Sequence, residues 1–430
     1  SDFGVVWVFW GRRVKKVAYT VRISFLNVNQ GMAGVVEIYD GLIGTMPVPP
    51  IPAAGGALVP ALPVGASLVG IMLVDFGCQG SAGMANDFSV QYVQQLMALR
   101  GMNVIDAVSI SHLDDDHYSL LRHLGAGTVI QDLFIGGEDA NRNNIGILLG
   151  QLASGGITFN NIFHQFNGYA ENGPDPYLNE DNGWVLGNQE NVCFKILLAN
   201  AQNLYNPPPS RAADFINTGS IMLLLYSFQL NGNVRMIESS FLFTGDATTK
   251  TLMLFNGLPF ANNFLGEPKG MSVPHHGSDS SVRSRGGNYT DLVNLLTHYP
   301  PEAAVVSAGY HRGYKHPGKY SMYYFREAVG NPGGFLPVPA PAVLPDSVPP
   351  PAVPTHVNSI YQGTGSRARI RINGGNGYIR IQNSNFYPVE EMVNLYNTST
   401  AWGAPFARRN VHIDFNSVNQ GIYTITWNEF

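Results

Sequence analysis

The apolar positions along the chain change period several times, and the changes mark its elements. "YTVRISFLNV" and "AGVVEIYD" alternate or run apolar between residues 19 and 40 and predict strands. "SLVGIMLVDFG" (67–77) is an unbroken apolar run of the kind buried on both faces of a sheet. "NDFSVQYVQQLMALR" (86–100) switches to helical spacing, with Val90, Val93, Leu96 and Met97 on one face and Asn86 or Asp87 as cap. The apolar strand "VIDAVSIS" (104–111) follows. Residues 136–190 show little periodicity and read as Gly- and Asn-rich loops with one short helix near Ile145–Leu152.

The pattern sharpens again after residue 219. "SIMLLLYSFQLNGNVRMIESSFLFTGD" is two strands about an Asn-Gly turn. A helix over Thr248–Phe255, the short strand "GMSV", a helix in "YTDLVNLLTHY", the strand "EAAVVSAGY" and a helix from Tyr320 to Ala328 follow in order. Residues 331–355 hold nine prolines and read as a linker or surface loop. Beyond them, "ARIRINGGNGYIRIQ" and "VHIDFNSVNQGIYTITWNEF" read as hairpins. Helices and strands thus alternate over 1–330, and a β-rich extension covers 356–430. Alternation of this kind means helices layered on sheets, an α/β protein.

Composition narrows the picture. The chain has 430 residues, 45% of them hydrophobic and 13% charged, with 48 Gly and 28 Pro, so it folds with many turns and long loops. A net charge of −5 argues against a broad basic surface for nucleic acid but not against a local patch. Residues 41–74 carry no charge, yet their prolines exclude a membrane-spanning helix, and they read as an apolar loop leading into a buried strand. Two cysteines, Cys78 and Cys193, define no disulfide framework and point to the reducing cytoplasm.

Against so little charge, "ISHLDDDHYSLL" (110–121) stands out. Adjacent carboxylates repel one another and resist burial, so the run is either a solvated turn or a cation site. In the first reading Asp116 caps the helix that follows. In the second, His112 and Asp114 converge on one ion from a strand end, and Asp116 and His117 turn toward a neighbouring ion. Asp115 then points away, into solvent or to a group behind the ligands. Three further stretches favour the second reading. "FLFTGDA" leaves Asp246 just past an apolar strand, "VPHHGSDSS" sets His275 and His276 after a short strand, and "GYHRGYKHP" brings His311 and His316 after another. Each lies on the C-terminal side of a strand, where open α/β sheets collect their sites.

Taken together, "SHLDDDH", "TGD", "PHHGS" and "KHP", with strands before them, resemble the metallo-β-lactamase superfamily. The nearest pattern is the hydrolase domain of the ComEC-type competence proteins and its stand-alone relatives. "FLNVNQGMAGVVEI" and "LVDFG" resemble the opening strands of that group. The resemblance covers about residues 20–330 and implies a four-layer αββα sandwich holding two divalent ions, Zn²⁺ or Mn²⁺. It further implies that His112 and Asp114 serve one ion, that Asp116, His117 and His316 serve the other, and that Asp246 bridges them. One of His275 and His276 would sit over the site as a ligand or as a phosphate-facing acid, with His275 as the ligand and His276 as its helper the first of the two readings. Asp114 stands where the superfamily has His, His164 is the one candidate for a third first-site histidine, and Met32 stands where relatives carry Asp.

Two such ions lower the pKa of a bridging water to about 7, and the resulting hydroxide is the expected nucleophile. Asp116 orients it, and His276 or its neighbour donates to the leaving oxygen. Arg283, Arg285, Arg312 and Lys315 flank the ligands and favour a phosphate-bearing substrate, nucleic acid among them. The leading expectation is a phosphodiesterase or nuclease. An ester, lactone or amide hydrolase with loop 41–66 walling the pocket is the second. A non-catalytic binding or assembly module is the third.

Overall fold

The computed structural model describes most of residues 18–307, parts of a helix between 320 and 328, and five strands between 359 and 429. The cap at Asn86 or Asp87, most of the Pro-rich loop, the segment carrying His311, Arg312, Lys315 and His316, and the 331–355 linker lie outside the described residues.

The first sheet opens with β1 (Tyr19–Phe25), β2 (Ala33–Asp40) and β3 (Ser67–Phe76), paired antiparallel. It continues in parallel order through α1 (Phe88–Arg100), β4 (Val104–Ile110), α2 (Asp115–Tyr118), β5 (Val129–Ile135), α3 (Asn144–Ser154) and β6 (Thr158–Phe163). The second sheet repeats this plan. Strands β7 (Trp184–Leu186) and β8 (Gln189–Leu198), helix α4 (Ala212–Thr218), and strands β9 (Met222–Asn231) and β10 (Val234–Phe243) form its antiparallel half. Helix α5 (Thr249–Asn256), strand β11 (Gly270–Ser272), helices α6 (Asp279–Val282) and α7 (Thr290–His298), and strands β12 (Ala303–Val306) and β13 (Ser359–Gln362) form the parallel half. Parallel strands need a crossover, so the helices fall where the sheets turn parallel.

Side chains alternate across each strand, and three apolar layers result. Met72 and Val74 of β3 face Leu223 and Leu225 of β9 and Phe241 and Phe243 of β10, forming a core between the sheets. The neighbouring positions Ile71 and Leu73 face outward and meet Val90, Val93 and Leu96 of α1 and Leu148 and Leu152 of α3. On the other side Met222, Leu224 and Leu242 meet Leu252 and Phe255 of α5 and Leu292 and Leu296 of α7. The molecule is an α/β sandwich of two mixed sheets.

The end of the chain is woven into this body. Strand β16 (Arg409–Asn416) pairs antiparallel with β1, β17 (Thr424–Glu429) pairs with β16, and β13 extends the second sheet. Ile413 and Phe415 add to the core between the sheets. Only β14 (Ala368–Ile372) and β15 (Gly375–Ile379) form a separate hairpin among the described residues. Residues 136–190, expected as loops around one helix, contain that helix as α3 but also β6 and β7 and the start of β8. Strand β6 escapes a reading by periodicity because it closes the sheet and half of its side chains are open to solvent.

Candidate metal centre

The buried run at the end of β3 supplies the first residue of the site. Asp75 takes a left-handed backbone with φ 50° and is fully buried. Its Oδ1 accepts the Ser111 backbone N–H at 2.6 Å, tying the ends of β3 and β4 together. Ser111 directly follows β4 and precedes His112. Its hydroxyl lies 3.0 Å from His112 Nδ1 and 3.2 Å from His117 Nδ1. The short helix α2 then turns His117 back so that its Nδ1 lies 3.0 Å from Asp75 Oδ2 and its Nε2 lies 3.4 Å from Asp246 Oδ1. The turn packs so tightly that a Cβ on Gly77 would run into the backbone of Asp116, His117 and Tyr118.

The three aspartates meet three fates. Asp114 occupies the N-cap position of α2 but makes no side-chain capping bond; its Oδ2 lies 3.5 Å from His112 Nε2. Asp115 is exposed, as expected for a residue between ligand positions. Asp116 sits inside α2, buried, with Oδ2 3.7 Å from His276 Nε2. The capping role weighed for Asp116 is therefore not met.

The second sheet brings the remaining groups. Asp246 follows β10 and is reached by four imidazoles: His112 at 3.8 Å, His117 at 3.4 Å, His275 at 3.4 Å and His276 at 3.6 Å. His275 and His276 lie beyond β11, and both hold left-handed backbones, φ 49° and 53°, which non-glycine residues adopt only where surrounding contacts hold them. Such a turn splays the two rings. His276 is buried, with Nδ1 2.5 Å from the Ser307 carbonyl, whereas His275 is 16% exposed and its Nε2 lies 3.4 Å from the Asn217 amide. His112, His117 and Asp246 form one group able to hold an ion, and Asp116, His117 and His276 form another.

The tautomers make the argument for a cation. A carbonyl oxygen can only accept, so the His276 proton is on Nδ1 and its Nε2 lone pair faces Asp116 and Asp246. The Asp75 carboxylate likewise calls the His117 proton to Nδ1 and leaves Nε2 toward Asp246. Lone pairs and carboxylate oxygens therefore converge on one buried space. The Nε2 atoms of His112 and His117 and Oδ1 of Asp246 have no hydrogen-bond partner among the described residues. Buried acceptors aimed at one another are stable only with positive charge between them.

The electrostatics agree. Burial alone would push the His117 imidazole down, but Asp246 and then Asp75 outweigh it and hold it well above its ordinary value. Burial also opposes ionisation of Asp246, yet His275, His276 and His117 hold it well below the usual carboxylate range. Burial opposes ionisation of Asp114 too, yet the adjacent His112 imidazole lowers it. Protons answer the Asp246 charge when they sit on the imidazoles; a divalent cation answers it with two charges at once.

In the sequence Asp75 carries no expected role beyond its place in "LVDFG", and Ser111 and Ser307 are not singled out. An acidic residue ending a wholly apolar strand is the signal that could have found Asp75; Ser307 acts through its backbone and leaves none. His164 does not join the ligands: its Nδ1 lies 3.4 Å from Glu138 and its carbonyl accepts from Asn200. Met32 places its side chain in the core between the sheets, while its N–H donates to the Asp116 carbonyl at 3.0 Å. Arg283 is exposed beside the site and donates through Nε to the Gly287 carbonyl at 2.9 Å. Both cysteines are buried and carry no disulfide. Among the described residues no helix is long and apolar enough to cross a membrane. In comparisons with known proteins, no family model matches this chain and no curated protein matches it significantly.

Proposed function

We propose that this protein is a metal-dependent hydrolase of the metallo-β-lactamase type that cleaves phosphodiesters. The observation that carries the reading is the convergence of His112, His117, His276, Asp116 and Asp246 from both sheets with their acceptor atoms directed at one buried space. Mixed imidazole and carboxylate donors suit Zn²⁺ and also accept Mn²⁺. His117 belongs to both candidate groups and offers one Nε2, so the two groups compete for it. When bound, such ions supply Lewis acidity and a nucleophile at neutral pH.

The chain's own residues divide the remaining work. Asp75 and Ser307 hold the protons of His117 and His276 on Nδ1 and so keep both Nε2 atoms as donors to a cation. Asp116 brings a carboxylate to the same space, where it accepts the proton of an attacking water. His276 is enclosed, and His275, more exposed and lining the adjacent cleft, is the better placed of the two to donate a hydrogen bond to the departing oxygen. The roles expected for this pair are thereby exchanged.

Purified protein assayed on bis(p-nitrophenyl) phosphate and on a simple lactone tests the reading. Bound metal should be stoichiometric by elemental analysis, the diester should be the better substrate, and chelation or His117→Ala should lower turnover about 100-fold or more. Turnover that survives both treatments, or a lactone cleaved where the diester is not, rejects it.

A further inference from the structure

Across from His275 stands the last turn of α4, which carries Asn217. The side chain of Asn217 is buried, 7% exposed, and its Nδ2 lies 3.4 Å from His275 Nε2. The same Nε2 lies 3.4 Å from Asp246 Oδ2, so the amide and the carboxylate share one ring atom. The support behind the amide is rigid. Thr218 Oγ1 donates to the Asp214 carbonyl at 2.5 Å and lies 3.1 Å from Thr248 Oγ1, and Thr251 of α5 donates to the Thr218 carbonyl at 3.1 Å. The Gly219 carbonyl then accepts the N–H of Gly137 at 2.9 Å and that of Asn200 at 3.0 Å. On the facing side the His275 N–H donates to the Gly245 carbonyl at 3.0 Å. Amide and ring are each fixed at the backbone and meet at one atom.

The other end of the amide does nothing for the fold. Asn217 Oδ1 is buried and has no hydrogen-bond partner among the described residues. Burying such an oxygen costs stability, and an apolar side chain of the same shape would avoid the cost. The one side-chain hydrogen bond of Asn217 among the described residues goes to His275. We infer that Asn217 is a positioning residue, which holds the His275 ring at the edge of the metal centre so that the imidazole meets the departing oxygen in one orientation. The inference rests on the diesterase reading above and on the role given there to His275, and adds the group that sets it. A ring free to turn reaches that oxygen in few of its orientations, and an acting group misplaced by about 1 Å loses much of its effect. His276 has such a support in the Ser307 carbonyl, 2.5 Å from its Nδ1, and Asn217 is the counterpart for His275 from a different element.

The test measures kcat and KM on two diesters, with the full chain supplemented with Mn²⁺. Bis(p-nitrophenyl) phosphate releases a stable anion that needs little help, whereas the phenolate of diphenyl phosphate needs a donor. Asn217→Ala should lower kcat about tenfold or more on diphenyl phosphate and less than about threefold on the nitrophenyl ester, with KM within about threefold on both. In a His275→Gln background the same change should do nothing further, because the ring it positions is gone. An equal loss on the two esters, no loss on either, or a loss that multiplies with that of His275→Gln overturns the inference. A wild type that cleaves the nitrophenyl ester alone has no donor at work and overturns it too. A wild type that cleaves neither ester rejects the diesterase reading, and the role of Asn217 falls with it. Asn217→Leu should also melt no lower than the wild type, since it removes the unpartnered oxygen. A Tm several degrees lower would make Asn217 a residue of the fold and end the proposal.

Discussion

Single atoms decide what the buried cluster can bind. An imidazole has two nitrogens, and the group beside one fixes the use of the other. Asp75 performs that service for His117, and the Ser307 carbonyl performs it for His276, so both rings turn a lone pair toward Asp246. Replacing Asp75 with Asn keeps the shape of the side chain and removes the charge that holds the His117 proton in place. Metal affinity of Asp75→Asn, measured by competition with a chromophoric chelator, should fall about 10- to 100-fold with the far-ultraviolet circular dichroism unchanged. Affinity within threefold of the parent would mean that Asp75 supports the fold and not the ligand.

One strand has an influence out of proportion to its length. Strand β16 arrives from nearly 400 positions away and seals the edge of β1, where Arg22 meets Asp414 through two hydrogen bonds of 2.8 and 2.9 Å. Next along the strand, Ser24 reaches His412 at 2.8 Å and Glu37 at 3.1 Å, and Tyr92 of α1 also donates to Glu37. Burial pushes the Asp414 carboxyl up in spite of Arg22, so desolvation outweighs attraction at that residue. A pair of this kind fixes which strand lies where more than it adds stability. Arg22→Met should destabilise the protein by about 3–5 kcal/mol in urea titrations, because Asp414 stays buried without its partner. Arg22→Met with Asp414→Leu should recover most of the loss. A single variant as stable as the double one would show that β16 does not lie against β1.

The two sheets share one plan, antiparallel strands followed by parallel ones, and they meet with the candidate ligands at the seam. Asp75, His112, Asp116 and His117 come from the first sheet and its connections, and Asp246, His275, His276 and Ser307 from the second. A cation held there bridges the halves and stabilises only the folded state. With free metal at 100 times its dissociation constant the gain is about 2.7 kcal/mol. Differential scanning fluorimetry should therefore show Tm falling by a few degrees on chelation and returning when Mn²⁺ or Zn²⁺ is restored. An unchanged Tm would argue against a metal joining the sheets.

Much of this architecture can be read along the chain. Apolar alternation marks β1 to β4 and the β9–β10 hairpin, because a strand's facing is written into every second residue. Chemical type marks His112, Asp116, His117, Asp246 and the His275–His276 pair, because so few carboxylates and imidazoles follow apolar strands here without a use. Periodicity is silent on β6, half of whose side chains face water, and on the partner of β16, which is set by contacts between residues 392 positions apart. It is equally silent on which of two adjacent histidines turns inward. That choice falls to three left-handed residues in a row, His275, His276 and Gly277, and to a carbonyl on the following strand's end. Local preference acts over a few residues, whereas register and ring orientation are settled by packing between distant ones, and only folding brings those together.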